Sequence, residues 1–113
     1  MTDPSLPTWL TVPELVDVLG LTQSRVRRLI EERALVAVRR DGKLVVPDLF
    51  IREGEPVHEL KGTIVVLGDS GYSDEEIVEW LLAPNETIGV APIEALRAGR
   101  KTEVRRVAQA LAF

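Results

Sequence analysis

Only one or two residues separate two helix-forming stretches near the start of this 113-residue chain, and a β-hairpin signal follows at once. Connections that short leave few arrangements open, because the two helices must cross immediately and the hairpin must fold back beside them. Thr11 followed three residues later by Glu14 is a capping-box pattern, and Pro13 suits a first helical turn. Leu15, Val18 and Leu19 then give a short apolar stripe that ends at Gly20. Thr22 caps the second stretch, 22–33, in which Val26, Leu29 and Ile30 stand at i, i+3 and i+4. From Leu35 the period changes: "LVAVRR" and "KLVVP" flank Asp41-Gly42, a dipeptide that accepts the positive φ angles of a tight hairpin turn. The hairpin covers 36–46.

Helix, tight turn, helix, hairpin is the order of a winged helix-turn-helix. Pro47 closes the second strand, Asp48 to Phe50 suits a single turn, and "REGEP" reads as a loop. The remainder is helical in pattern. Leu60, Ile64 and Leu67 share a face, and Ser73 with Glu76 makes a second capping box. Ile77, Trp80 and Leu81 form an amphipathic stripe stopped by Pro84, and a short turn covers Ile93 to Ala98. A last helix, capped by Thr102, carries Val104, Val107, Ala108 and Leu111. The expected fold is mainly α with a small β-hairpin wing. It is divided into a flexible tail (1–8), a winged helix-turn-helix region (9–52) and a helical C-terminal region (53–113).

Composition excludes several classes. Cysteine is absent and His58 is the only histidine, so neither a disulfide framework nor a zinc site is expected. No apolar run approaches the roughly 20 residues of a membrane span, and the first residues do not read as a signal peptide, which points to a cytoplasmic protein. No phosphate-cradling glycine loop appears, so no nucleotide cofactor is expected. "TIVVLGDSGY" can be drawn as a strand leading to a nucleophilic Ser70. A serine nucleophile needs a base within hydrogen-bond reach, however, and His58 lies upstream in an unusual order. A helix end at Gly68 to Gly71, with Asp69 and Ser70 satisfying backbone groups, is the simpler reading. The carboxylates Asp74, Glu75 and Glu76 fall in a first helical turn, where free N–H groups favour negative charge. No enzymatic chemistry is expected.

Net charge, −4 overall, hides a segregation. Residues 21–52 hold eight Arg/Lys against four Asp/Glu, whereas residues 53–95 hold ten Asp/Glu against one Lys. A basic segment in an acidic chain suggests one face built for an anion. In a helix-turn-helix the second helix enters the major groove by its N-terminal part. With Val26, Leu29 and Ile30 inward, Ser24 and Arg28 point most directly outward, and Arg25 and Arg27 take opposite flanks. Arg28 suits a guanine edge, Gln23 and Ser24 suit edges or phosphate, and the flanking arginines suit the two strands. Thr22 opens this helix, and Arg39, Arg40 and Lys43 surround the wing tip as a second cationic contact. Glu31, on the outward face at the far end, favours N-terminal insertion. The expectation is a duplex DNA-binding protein, associated with the nucleoid and regulating transcription. The alternative is a protein-interaction module of the antitoxin or adaptor kind.

The residues that carry this order also carry a resemblance. Residues 9–50, with Leu10-Thr11-x-x-Glu14, Leu19-Gly20, a capped second helix and a Gly-containing wing closed by Pro47, resemble the excisionase and MerR-like class of winged helix-turn-helix proteins. With "GDSGYSDEEIVEWLLAP" and "PIEALRAGRKTEVRRVAQALAF" included, nearly the whole ordered chain is similar to an actinobacterial DNA-binding family related to a mycobacterial Ser/Thr kinase substrate. That resemblance implies a winged-helix DNA binder with a helical C-terminal part similar to the partner-binding domain of some antitoxins. Three departures stand out. Val45 occupies a wing position that is often Arg, and Arg33 occupies the helix end that is often Gly. The tail is also shorter, with Thr2, Ser5 and Thr8 as its hydroxyls. Further partners consistent with the pattern are a second copy or another protein held through the C-terminal helices, and a Ser/Thr kinase acting on the tail. Arg97, Arg100, Lys101, Arg105 and Arg106 form a second basic cluster, expected to pair with acidic surface of its own chain or of a second copy, with a second phosphate contact as the alternative.

Overall fold

The structure is a computed structural model, and it describes residues 8–111. The expected tail, apart from Thr8, lies outside the described residues. The first element is a short strand, β1 (Trp9–Thr11), which runs directly into α1 (Val12–Leu19). Thr11 accepts from the Glu14 N–H, and the Glu14 carboxylate accepts from the Thr11 N–H at 3.0 Å, so the capping box is complete. Gly20, at φ 67, ends the helix in the left-handed region and returns its N–H to Val16. The buried face differs from the expected stripe. Val12 and Leu15 are buried, Val16 and Leu19 pack at the edge, and Val18 is 46% exposed. The stripe therefore starts one turn earlier, at i, i+3, i+4 and i+7 from Val12. An added Cβ at Gly20 meets nothing within 4 Å, so Gly20→Ala tests backbone conformation alone. It is expected to lower the urea midpoint by the equivalent of about 1 kcal/mol with an unchanged denaturant slope.

The second helix, α2 (Gln23–Glu31), is capped by Thr22 and buries Val26 fully, with Leu29 and Ile30 half-buried. Its end is unusual. The Ala34 N–H bonds to the Leu29 carbonyl at 2.9 Å and the Arg33 N–H to Ile30 at 3.2 Å, a Schellman pattern with Arg33 at φ 66 in the position glycine normally takes. The backbone conformation has been kept without the glycine, a strain of about 1 kcal/mol. The Arg33 guanidinium meets Asp74 at 2.9 Å across the molecule.

The wing is β2 (Val38–Arg40) and β3 (Lys43–Pro47), antiparallel, with Arg40 opposite Lys43 across a two-residue turn. Asp41 and Gly42 both have positive φ, as the turn type requires. Val36 and Ala37, expected in the first strand, are buried before it begins. β1 pairs with β3 on its other edge, Leu10 opposite Val46, making a three-stranded sheet in the order β1-β3-β2. Val45 is 5% exposed in the central strand, so no cation belongs on its face there.

A single 3-10 turn, Asp48–Phe50, follows. The stretch read as a loop is instead a second hairpin, β4 (Ile51–Arg52) and β5 (Glu55–Pro56), turning through Glu53 and Gly54 at positive φ. Then come α3 (Leu60–Asp69), α4 (Asp74–Leu82), α5 (Pro92–Arg97) and α6 (Lys101–Ala110). The Ser73–Glu76 capping box is present, and Ile77, Val78 and Leu81 are buried with Trp80 half-buried beside them. Thr102 is not a cap. α6 starts one residue before it, with Arg100 at the cap position and no side-chain cap bond.

One apolar core runs through both halves. Leu15, Val26, Leu35 and Phe50 belong to the same cluster as Leu60, Ile64, Ile77, Leu96 and Val104. Polar latches reinforce it: the Arg97 guanidinium donates to the carbonyls of Leu49 and Ile51, both at 2.8 Å, and Arg52 donates back to the Arg97 carbonyl. Among the described residues no helix is long and apolar enough to cross a membrane, and no group of three His, Asp or Glu side chains is arranged to hold a metal.

Candidate nucleic-acid interface

The β1–β3 pairing brings the start of α1 next to the wing, and the short turn at Gly20 and Leu21 brings α2 alongside both. A cleft of about 390 Å³ opens between them, lined by Thr11, Val12 and Pro13 of the first helix, Gln23 and Arg27 of the second, and Arg39, Gly42, Lys43 and Leu44 of the wing. Its polar rim carries three cations and no carboxylate. That arrangement suits an anion, since guanidinium and ammonium groups from separate elements converge on it.

Thr22 is occupied in capping, accepting from the Arg25 N–H at 3.2 Å, and its hydroxyl lies 3.3 Å from that of Ser24. Ser24 and Arg28, on the face that turns away from Val26, and Arg25, on its flank, are exposed on α2 outside the cleft. Arg39 bends over the hairpin turn, 3.4 Å from the Gly42 carbonyl. Of the expected residues, Gln23, Arg27, Arg39 and Lys43 line the cleft, while Thr22, Ser24, Arg25 and Arg28 lie outside it.

Arg40 points the other way. Neighbours in a strand face opposite sides of the sheet, so Arg39 enters the cleft while Arg40 crosses to α4. There its guanidinium forks onto Glu75 at 2.8 and 3.1 Å and lies 5.0 Å above the Trp9 ring. The bidentate hydrogen bond to Glu75 raises the Arg40 pKa, and the same bond holds the Glu75 carboxyl below its ordinary range. Both groups are exposed, so the pair contributes little stability. It decides direction instead. With Arg33 held by Asp74, two basic side chains of the helix-wing half are drawn to the acidic first turn of α4. Glu14 and Glu76 are likewise held low, first by the backbone N–H groups of Thr11 and Ser73 that they cap.

The catalytic alternative at Ser70 loses its geometry. α3 runs through the stretch that a nucleophile turn would need, and the Ser70 hydroxyl donates to the Val66 carbonyl at 2.9 Å. His58 is exposed. The start of α1, which joins the cleft, was not among the expected residues. Its signal was the capping box, which marks a helix N-terminus but cannot say what that terminus faces.

Two family models match in tandem. One is described as the winged helix-turn-helix domain of DNA-binding protein Rv2175c and covers residues 2–51; the other, the C-terminal domain of unknown function of Rv2175c, covers residues 57–112. The chain is 36% identical to DNA-binding protein Rv2175c of Mycobacterium tuberculosis, over 98% of its own length and 84% of that protein. The chain belongs to the Rv2175c family. A solved structure agrees: the NMR structure of Rv2175c superposes with a TM-score of 0.85 at 35% identity, over 100% of this chain and 86% of that one. The fold is therefore a winged helix-turn-helix followed by the C-terminal part that Rv2175c also carries.

Proposed function

We propose that this chain binds duplex DNA and acts as a transcriptional regulator in the cytoplasm, at the nucleoid. The observation that carries the reading is the convergence of Gln23, Arg27, Arg39 and Lys43 with the start of α1 in one carboxylate-free cleft. The relative's name, DNA-binding protein Rv2175c, supports it. Residues 9–52 are the DNA-facing unit. The N-terminal half of α2 enters the major groove, presenting Ser24 and Arg28 to base edges, while Arg25 and Arg27 hold the two strands. The wing's Arg39 and Lys43 lie along the backbone or in the adjacent minor groove. Residues 53–113 hold this unit in shape, and their acidic surface faces away from the duplex.

The measurement is the salt dependence of duplex affinity. Five cations, Arg25, Arg27, Arg28, Arg39 and Lys43, are expected to contribute about −4.5 to the log–log slope. Neighbouring arginines then separate the two wing faces. Arg39→Gln is expected to flatten the slope by about one, and Arg40→Gln to leave it unchanged, because Glu75 already holds Arg40 away from the cleft. Equal effects of the two substitutions would refute the assigned orientation. A wild-type chain that captures a protein partner but shows no salt-sensitive duplex affinity would favour the interaction-module reading.

A further inference from the structure

Among the described residues, the basic cluster at the C-terminal end makes no ion pair with the acidic stretch 53–95 of its own chain. Arg97 is engaged by the Leu49 and Ile51 carbonyls, and Arg100 by Glu103 and the Ile88 carbonyl. Lys101, Arg105 and Arg106 remain, all exposed, and among the described residues no ion pair joins them to the acidic stretch 53–95. Glu103, the one carboxylate on α6, is occupied by Arg100 through both oxygens, and that bond holds its pKa low.

Lys101 and Arg105 stand one turn apart, with Arg106 beside Arg105, along a flank of the helix that the buried Val104 and Ala108 leave uncovered. With Thr102 and Gln109 these three cations line a shallow groove of about 260 Å³ to which no other residue contributes. Arg105 is seated: its guanidinium lies against α3 at Gly62, in the space a Cβ would occupy. A glycine inside a helix is unfavourable, and here its lack of a side chain leaves room for the Arg105 guanidinium against the neighbouring helix.

The chemistry of the face selects its partner. A protein interface that persists in solution has an apolar centre inside a polar rim. This groove has neither an apolar side chain nor a carboxylate. Lys, Arg, Thr and Gln are the side chains that contact phosphate and sugar in duplex DNA, where position is held without reading bases. We propose that the Lys101–Arg105–Arg106 face of α6 is a second phosphate-binding surface, holding duplex backbone apart from the segment held by α2 and the wing. The inference rests on the DNA-binding reading given above, and the test separates the two.

The probe is a duplex of about 30 base pairs titrated at low salt. In a chain carrying R25Q, R27Q, R28Q, R39Q and K43Q, residual affinity is expected to persist through α6, with a slope near −2.7 and a fall of about 40-fold between roughly 50 and 200 mM salt. Adding K101Q, R105Q and R106Q is expected to remove it. A K101Q/R106Q pair, which leaves Arg105 on Gly62, guards against a folding artefact and is expected to remove about two of the three phosphate contacts. If the five-site chain binds as tightly as wild type, the α2 and wing reading fails, while loss on adding the α6 changes still supports this surface. Unchanged residual binding after those changes overturns it. So does a self-associated wild type that becomes monomeric on the α6 changes alone with its DNA binding intact.

Discussion

Reversing Arg25, Arg27 and Arg28 to glutamate is expected to abolish duplex binding at physiological salt while leaving the fold in place. All three are exposed on α2, and the core is held from the other side of the helix by Val26, Leu29 and Ile30. Surface changes of this kind cost a few tenths of a kcal/mol each, so the far-UV spectrum and the thermal midpoint are expected to stay close to wild type. Binding is another matter. A specific base-edge contact such as that of Arg28 is worth about 1–3 kcal/mol, and its loss together with the strand contacts of Arg25 and Arg27 is expected to weaken the complex by at least about 100-fold. Repulsion adds to that, because Glu31 and Glu32 already follow in the same helix and the reversed surface would face phosphate with carboxylates alone. Fluorescence anisotropy against a duplex pool measures the change. An affinity left unchanged by the triple reversal would remove α2 from the interface.

Phe50→Ala is expected to destabilise the whole chain by about 3–5 kcal/mol, the largest effect of any single substitution proposed for it. Phe50 is fully buried at the point where the wing ends and the second hairpin begins, and its carbonyl accepts the Val57 N–H at 2.8 Å. A domain of this size has a total stability of about 5–15 kcal/mol, so the loss is a large share of it. Its cooperativity is the more informative part. Because the apolar cluster is continuous from Leu15 to Ala108, removing the ring is expected to lower both halves together. Two tryptophans report on them separately, Trp9 in the sheet and Trp80 in α4. In W80F and W9F backgrounds, urea transitions are expected to coincide and to shift by the same amount on Phe50→Ala. A Trp80 transition left in place would mean that the C-terminal helices are an independent unit.

The local signals were legible because they are written in neighbouring residues. Thr11 and Glu14, Thr22, Asp41-Gly42, and Ser73 with Glu76 each act within four positions, and each appears where the sequence puts it. The misses have a common origin in distance or in atypical residues. β1 has three residues, too few to show alternation, and exists because β3, some 35 positions later, supplies its hydrogen bonds. The second hairpin turns on Glu53 and the α2 end on Arg33, both left-handed residues that carry no glycine signal. Thr102 has the chemistry of a cap, but α6 begins at Lys101 and leaves it one position inside. Val18 was counted inward and faces solvent, because which turn of a short helix is covered depends on what packs on it.

By itself, the order of caps, turns and periods in the chain determined a helix-turn-helix with a wing and a helical remainder, since each of those elements is chosen by interactions a few residues long. Charge followed a different rule. Arg39 and Arg40 are adjacent and chemically identical, yet one lines the cleft and the other lies on Trp9 under Glu75. Likewise Arg97 and Arg100 are engaged by backbone and carboxylate, while among the described residues Lys101, Arg105 and Arg106 have no carboxylate partner. Only the tertiary structure decided which cations are available to a partner, because an ion pair forms with whatever group the fold brings within about 4 Å, however far away it lies along the chain.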